Sequence, residues 1–123
     1  MKIISDQMHG VLDYLTVVIF ALAPSLIGLT DLAALASYAL AVIHLAMTLI
    51  TRMPLGVVKL LPMKLHALVE LIVGPVLLVG GLMVPALPTV SRTFFVVMGL
   101  VIFAVWLLSS YGQLHERVAS KRA

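Results

Sequence analysis

The chain contains no cysteine. That removes disulfide frameworks, thiolate metal ligands, iron–sulfur clusters and thiol nucleophiles together. Charge is nearly as scarce. Only 11% of the 123 residues are Asp, Glu, Lys or Arg, and the acidic ones number five; a soluble domain carries about 25% charged residues. With a net charge of +3 there is no basic footprint for nucleic acid, and no nucleic-acid partner is expected. Phosphate loops, dinucleotide fingerprints and nucleophile–base pairs are also missing, so an enzyme is not expected. The polar leader, Met1 to Met8, lacks a short apolar core followed by a small-residue cleavage site, so the first apolar segment should stay as a span.

What the chain has in excess is apolar surface. It is 63% hydrophobic, with a mean hydropathy of +1.20. A domain this small cannot bury that much in a core, so most of its solvent should be lipid. Four runs are long enough for a hydrocarbon core of ~30 Å at ~1.5 Å per residue: about Gly10–Leu29, Leu32–Ile50, Leu65–Val84 and Thr93–Tyr111. The fold class that follows is all-α: a four-transmembrane-helix bundle of two helical hairpins. It reads as one membrane domain, 1–123, with a first hairpin over about 9–52, a linker over 53–64, a second hairpin over 65–111 and a basic tail at 112–123.

Pro24 and Gly74-Pro75 lie inside spans and invite bends. Gly28-Leu29-Thr30-Asp31 reads as a tight turn, with Thr30 or Asp31 capping the next helix. The linker mixes Pro54, Gly56, Lys59, Pro62 and Lys64 with Leu and Val. It reads as an interfacial segment, leucines dipping toward the acyl chains and lysines reaching back to head groups. In the fourth span Gly99, Phe103, Trp106, Ser110 and Gln113 follow one side, and Trp106 and Tyr111 suit the lipid–water boundary. Tyr14 and Tyr38 read as interfacial or packing residues, and the scattered methionines as core filling.

Orientation follows from the basic residues. Lys2, Arg52, Lys59, Lys64, Arg117, Lys121 and Arg122 fall on one side of the spans and only Arg92 on the other, which makes both termini cytoplasmic.

Two short runs stand out. His9-Gly10-Val11-Leu12-Asp13 and His66-Ala67-Leu68-Val69-Glu70 each place a carboxylate four residues after a histidine, on one helix face. Laying His9 on His66 brings Asp13 onto Glu70. With two spans per half, the expected relation is a parallel internal repeat about an axis along the membrane normal. In the second span Ser37, Ala41, His44, Thr48 and Thr51 recur on one small, polar face that should turn to protein. Helix rise puts His44 ~12 Å in from the cytoplasmic end, one to two turns deeper than Asp13 and Glu70. His115 and Glu116 come at the same side after the fourth span.

The pattern Asp13-Tyr14-Leu15, Ala23-Pro24-Ser25 and Ile27-Gly28-Leu29 resembles the SPW-repeat small membrane proteins of bacteria. Only the proline of the Ser-Pro-Trp triplet is matched, and the second half has no triplet. The resemblance implies a two-helix repeat in a bacterial plasma membrane and transfers no functional residue.

Ionisable groups at membrane depth usually face the bundle interior and a partner. Three readings stay open for His9, Asp13, His44, His66 and Glu70. They form a site that binds or passes a cation, a divalent transition metal or a proton, since mixed N/O donors suit zinc, manganese or iron. Or they pair with each other and with Lys2 or Lys64 to anchor helix ends, in a structural or accessory subunit of a larger membrane complex. Or two of the histidines clamp a haem, as in a membrane electron carrier. Beyond the lipid bilayer, the expected partners are a second copy, docked through the small faces at Gly74, Gly80, Gly81 and Gly99, or a larger complex.

Overall fold

In a computed structural model, which describes residues 3–110, the chain forms four helices: α1 Asp6–Ile27, α2 Asp31–Ile50, α3 Met63–Met83 and α4 Thr89–Leu108. Each is long and apolar enough to cross a membrane. The faces they turn outward are those of lipid-facing helices: Leu26, Val42 and Val76 are 73%, 67% and 60% exposed. The expectations placed on Lys2, Tyr111, Gln113, His115, Glu116, Arg117, Lys121 and Arg122 lie outside the described residues.

Two boundaries move by a full helical turn. α1 begins at Asp6, four residues before the expected span, because Ser5 caps it and accepts from the Met8 N–H at 3.2 Å. α4 begins at Thr89 rather than Thr93, with Arg92 in its first turn donating to the carbonyls of Val84 and Pro85. Between α1 and α2, Gly28 takes the left-handed C-cap conformation at φ 73°. Thr30 is the N-cap of α2 but makes no side-chain cap bond.

Backbones approach most closely within each hairpin, α1 along α2 and α3 along α4. In the second hairpin, glycines permit this. A Cβ on Gly99 would stand 2.6 Å from Leu78 N and 2.7 Å from Gly74 O, and one on Gly81 would stand 2.8 Å from the Val96 side chain. Three of the four glycines expected to serve a dimer face are thus engaged inside the hairpin; Gly80 alone has nothing near it. The hairpins meet through side chains. Phe20 of α1 packs with Ala41, Met98 and Ile102 and stands edge-on to Phe94, ring centroids 5.7 Å apart. Within the first hairpin, the Ser37 hydroxyl donates to the Phe20 carbonyl at 2.6 Å.

The linker folds back onto α2. The N–H groups of Val57 and Val58 reach Leu49 O, and those of Leu60 and Leu61 reach Ile50 O. They satisfy carbonyls that the helix end would leave orphaned. Leu55 turns inward over Gly10, and its carbonyl accepts from the Tyr14 hydroxyl at 2.8 Å. Only part of the expected interfacial face survives: Val57, Val58 and Leu60 are exposed, as are Arg52, Lys59 and Lys64. The segment before α1 does the same for α4: Ile4 N–H donates to Leu108 O, and Ser110 N–H to Ile4 O.

Replacing Gly99 by Ala drives a methyl into backbone that cannot yield. It should cost about 1–3 kcal/mol, in the range for overpacking, while Gly80→Ala should be near neutral. Thermal unfolding of the two variants in detergent, read by circular dichroism, distinguishes them.

Candidate metal centre

The site lies at the end of the bundle where the linker folds back. Helix periodicity builds it. His9 and Asp13 lie on the inner face of α1, one turn apart, and His66 and Glu70 do the same on α3. All four are buried: both imidazoles are fully enclosed, and both carboxylates are 2% exposed. One donor atom from each lies within 4.8 Å of every other.

The closer distances define a compact group. His9 Nε2 and His66 Nε2 are 3.3 Å apart. Asp13 Oδ2 stands 3.2 Å from the first and 3.0 Å from the second, and Glu70 Oε1 stands 3.2 Å and 3.1 Å from them. Five edges of a four-cornered figure thus fall between 3.0 and 3.3 Å, and the sixth, between the two carboxylate oxygens, lies within 4.8 Å. In a tetrahedron the edge is about 1.6 times the centre-to-corner distance, so metal bonds of about 2.0–2.1 Å call for edges of about 3.3–3.4 Å.

The far side of each imidazole fixes which nitrogen carries hydrogen. His9 Nδ1 is 2.7 Å from the Ser109 hydroxyl, and that hydroxyl gives its proton to Val105 O at 2.6 Å. A hydroxyl has one proton to give. Ser109 Oγ must therefore accept, and His9 Nδ1–H donates. On the other ring the same logic holds: Thr51 gives its proton to Met47 O, so His66 Nδ1–H donates to Thr51 Oγ1 at 2.8 Å. This assignment of the tautomers follows from the hydrogen-bond network. In neutral rings both Nε2 lone pairs then point at each other and at two carboxylate oxygens. Four acceptors face one centre. Only cations, whether protons or a metal ion, make such a group stable out of water.

The two arms are alike. His9 precedes His66 by 57 residues, and the Ile4–Ser109 backbone bridge has a counterpart in Leu61–Thr51. In each arm the histidine is held by a hydroxyl from the end of the other hairpin.

His44 comes in from α2. Its Nε2 is 3.4 Å from Asp13 Oδ1, and its ring lies edge-on to His66 with centroids 6.3 Å apart. The structure therefore brings all five sequence-predicted residues together, but His44 touches the outer oxygen of Asp13 and stands outside the group of four. The expected depth difference is absent. Because α1 starts at Asp6, Asp13 sits ~10 Å into its helix, and His44 sits ~9 Å from the end of α2 at Ile50. The polar face of α2 is buried as its spacing predicts, with Ser37, Thr48 and Thr51 fully enclosed. Thr51 belongs to the small polar face that its spacing predicts, whereas nothing in the sequence singles out Ser109. Their role depends on loop contacts that no spacing rule reports.

Asp13 Oδ2 is buried without a hydrogen-bond partner, although both Nε2 atoms are near. No family model, curated protein or solved structure matches the chain, so function is argued from this geometry alone.

The tautomer assignment is directly measurable. Nitrogen-15 spectra of the two rings should show Nδ1 protonated in both His9 and His66. Ser109→Ala should release His9 only, and Thr51→Val should release His66 only. A lone-pair signal at either Nδ1 of the wild-type protein contradicts the assignment.

Proposed function

We propose that this chain is a small multi-pass membrane protein of the bacterial plasma membrane that binds one divalent transition-metal ion through His9 Nε2, His66 Nε2, Asp13 and Glu70. The observation that carries this reading is the convergence of four donor groups at one buried centre, with the single hydrogen of each neutral imidazole held outward by Ser109 and Thr51. Two carboxylates and a divalent ion sum to zero charge, the balance a site enclosed by apolar helices requires. The edge lengths suit zinc or a similar first-row ion. Calcium bonds of 2.3–2.6 Å to six or more oxygens, and magnesium's octahedron of oxygens and water, fit neither the spacing nor the two nitrogens. His44 acts as a positioning residue: held against Oδ1, it turns Oδ2 toward the centre.

The reading is a holding site more than a conduit. Beyond the four groups the bundle is filled by Phe20, Met98 and Ile102. Haem is disfavoured on space. Its flat ring would have to lie between the two Nε2 atoms, where Asp13 and Glu70 oxygens already stand 3.0–3.2 Å from them. A second reading assigns protons to the site and a structural or accessory role to the protein. The Nε2 contacts to Glu70 at 3.1 and 3.2 Å favour it; Asp13 Oδ2, with no hydrogen of its own, counts against it.

Three further parts of the reading have separate support. Arg52, Lys59 and Lys64 all belong to the site end and Arg92 to the other, which supports a cytoplasmic site end and cytoplasmic termini. The matched His–acid pairs and backbone bridges support two copies of one hairpin in a parallel repeat, as the SPW-repeat resemblance implies. A second copy or a larger complex remains the proposed kind of protein partner.

Protein purified without chelators and analysed by inductively coupled plasma mass spectrometry should carry close to one transition-metal ion per chain. Asp13→Ala and His66→Ala should lose it, and Leu15→Ala, on the lipid face, should keep it. His44→Ala should weaken binding about 10–100-fold, the range for a residue that orients a ligand. Wild type that neither retains metal nor takes up zinc defeats the proposal, and a Soret band selects haem.

A further inference from the structure

The far end of the bundle, away from the His/carboxylate group, holds a different feature. Between α2 and α3 the hairpins part and leave an apolar groove of about 220 Å³. Leu32 and Ala36 form one wall, Val76, Gly80 and Val84 the other, and Phe95 the floor. Small residues create it: a Cβ added at Gly80 would meet nothing within 4 Å. An apolar cavity of about 150 Å³ is enough to take up benzene, so this groove admits a length of acyl chain.

Charge says what kind of chain. Among the described residues, this end carries only two acidic or basic side chains, and each adjoins a residue that lines the groove. Asp31 directly precedes Leu32 on the groove wall and is exposed. Arg92 is held by the carbonyls of Val84, which lines the groove, and of Pro85. These bonds use one terminal nitrogen of the guanidinium and pre-position the group. One fixed cation and one anion at the mouth of an apolar slot match a head group bearing a phosphate and an ammonium.

We propose that this groove binds one zwitterionic glycerophospholipid of the phosphatidylethanolamine type, with an acyl chain between α2 and α3, its phosphate on Arg92 and its ammonium on Asp31. The proposal needs the membrane location but is independent of metal binding.

The test is native mass spectrometry of detergent-washed protein titrated with phosphatidylethanolamine or with phosphatidylglycerol. The wild type should take up one phosphatidylethanolamine at least tenfold more tightly than phosphatidylglycerol. Ala36→Leu and Gly80→Leu, which fill the slot, should lose most of that uptake. Asp31→Asn alters an exposed charge without touching the packing, and should remove the preference between the two lipids while leaving helix content unchanged. Uptake that is equal in the wild type and both filled variants means adhesion around the bundle only and overturns the proposal. Phosphatidylglycerol bound as tightly as phosphatidylethanolamine by the wild type overturns the assigned head group.

Discussion

Two imidazoles and two carboxylates facing one another across 3.0–3.3 Å impose the main constraint on this bundle. None of the four can be buried alone: an isolated ionised carboxylate in an apolar medium is far too costly, and a lone imidazole nitrogen needs a partner. Each becomes tolerable only when the other hairpin delivers its pair. The polar centre therefore does for the hairpins what apolar packing cannot do in lipid, where leucine against leucine is no better than leucine against an acyl chain. It selects one mutual arrangement, because a slip of one residue on α1 or α3 turns a ligand away from the centre.

The rest of the near end serves that constraint. A helix end leaves carbonyls without partners, and in a membrane protein these must be met by protein. Here the segment before α1 pairs with the end of α4, and the segment before α3 pairs with the end of α2. The same pairing sets Ser109 and Thr51 against the outer nitrogens of His9 and His66. Termination of two helices and orientation of two rings are thus a single structural event, performed twice. Removing either hydroxyl loosens a ring as well as a hydrogen bond.

Much of this was legible in the sequence, for identifiable reasons. Four spans follow from hydropathy and length because lipid leaves a helix no alternative. The burial of His9, Asp13, His66 and Glu70 follows from four-residue spacing together with the cost of charge in oil. The face of α2 was readable from Ser37 to Thr51, since small and polar residues recur at helical period. What failed was depth. The level of His44 was measured from Arg52 and that of Asp13 from Gly10, but Ser5 caps α1 one turn earlier and brings the two side chains level. The fold of the linker is not legible in the sequence because composition reports exposure and not hydrogen bonds. Leu55 has the same character as Leu60, yet one roofs Gly10 and the other faces outward.

The two ends of the molecule answer the same problem in opposite ways. At the near end the hairpins are drawn together by groups that each need a counter-charge, and the linker and Leu55 cover them. Toward the middle, Phe20 and Phe94 hold the halves by aromatic contact. Among the described residues, no polar pair spans α2 and α3 at the far end. Ala33, Ala36, Gly80 and Gly81 bring too little volume to close the space. A void in a soluble protein forfeits dispersion contacts on one side and costs stability. In a bilayer the missing partner is present at high concentration as an acyl chain. Small residues where the halves diverge are therefore compatible with a stable bundle, provided that lipid completes the packing the sequence leaves open. Cohesion between the hairpins thus passes from charge at the four groups on α1 and α3 to aromatic and apolar contact, with Phe95 packed on Ala23, Leu29 and Ala33 at the far end, and the proposed lipid fills only the groove beside that cluster.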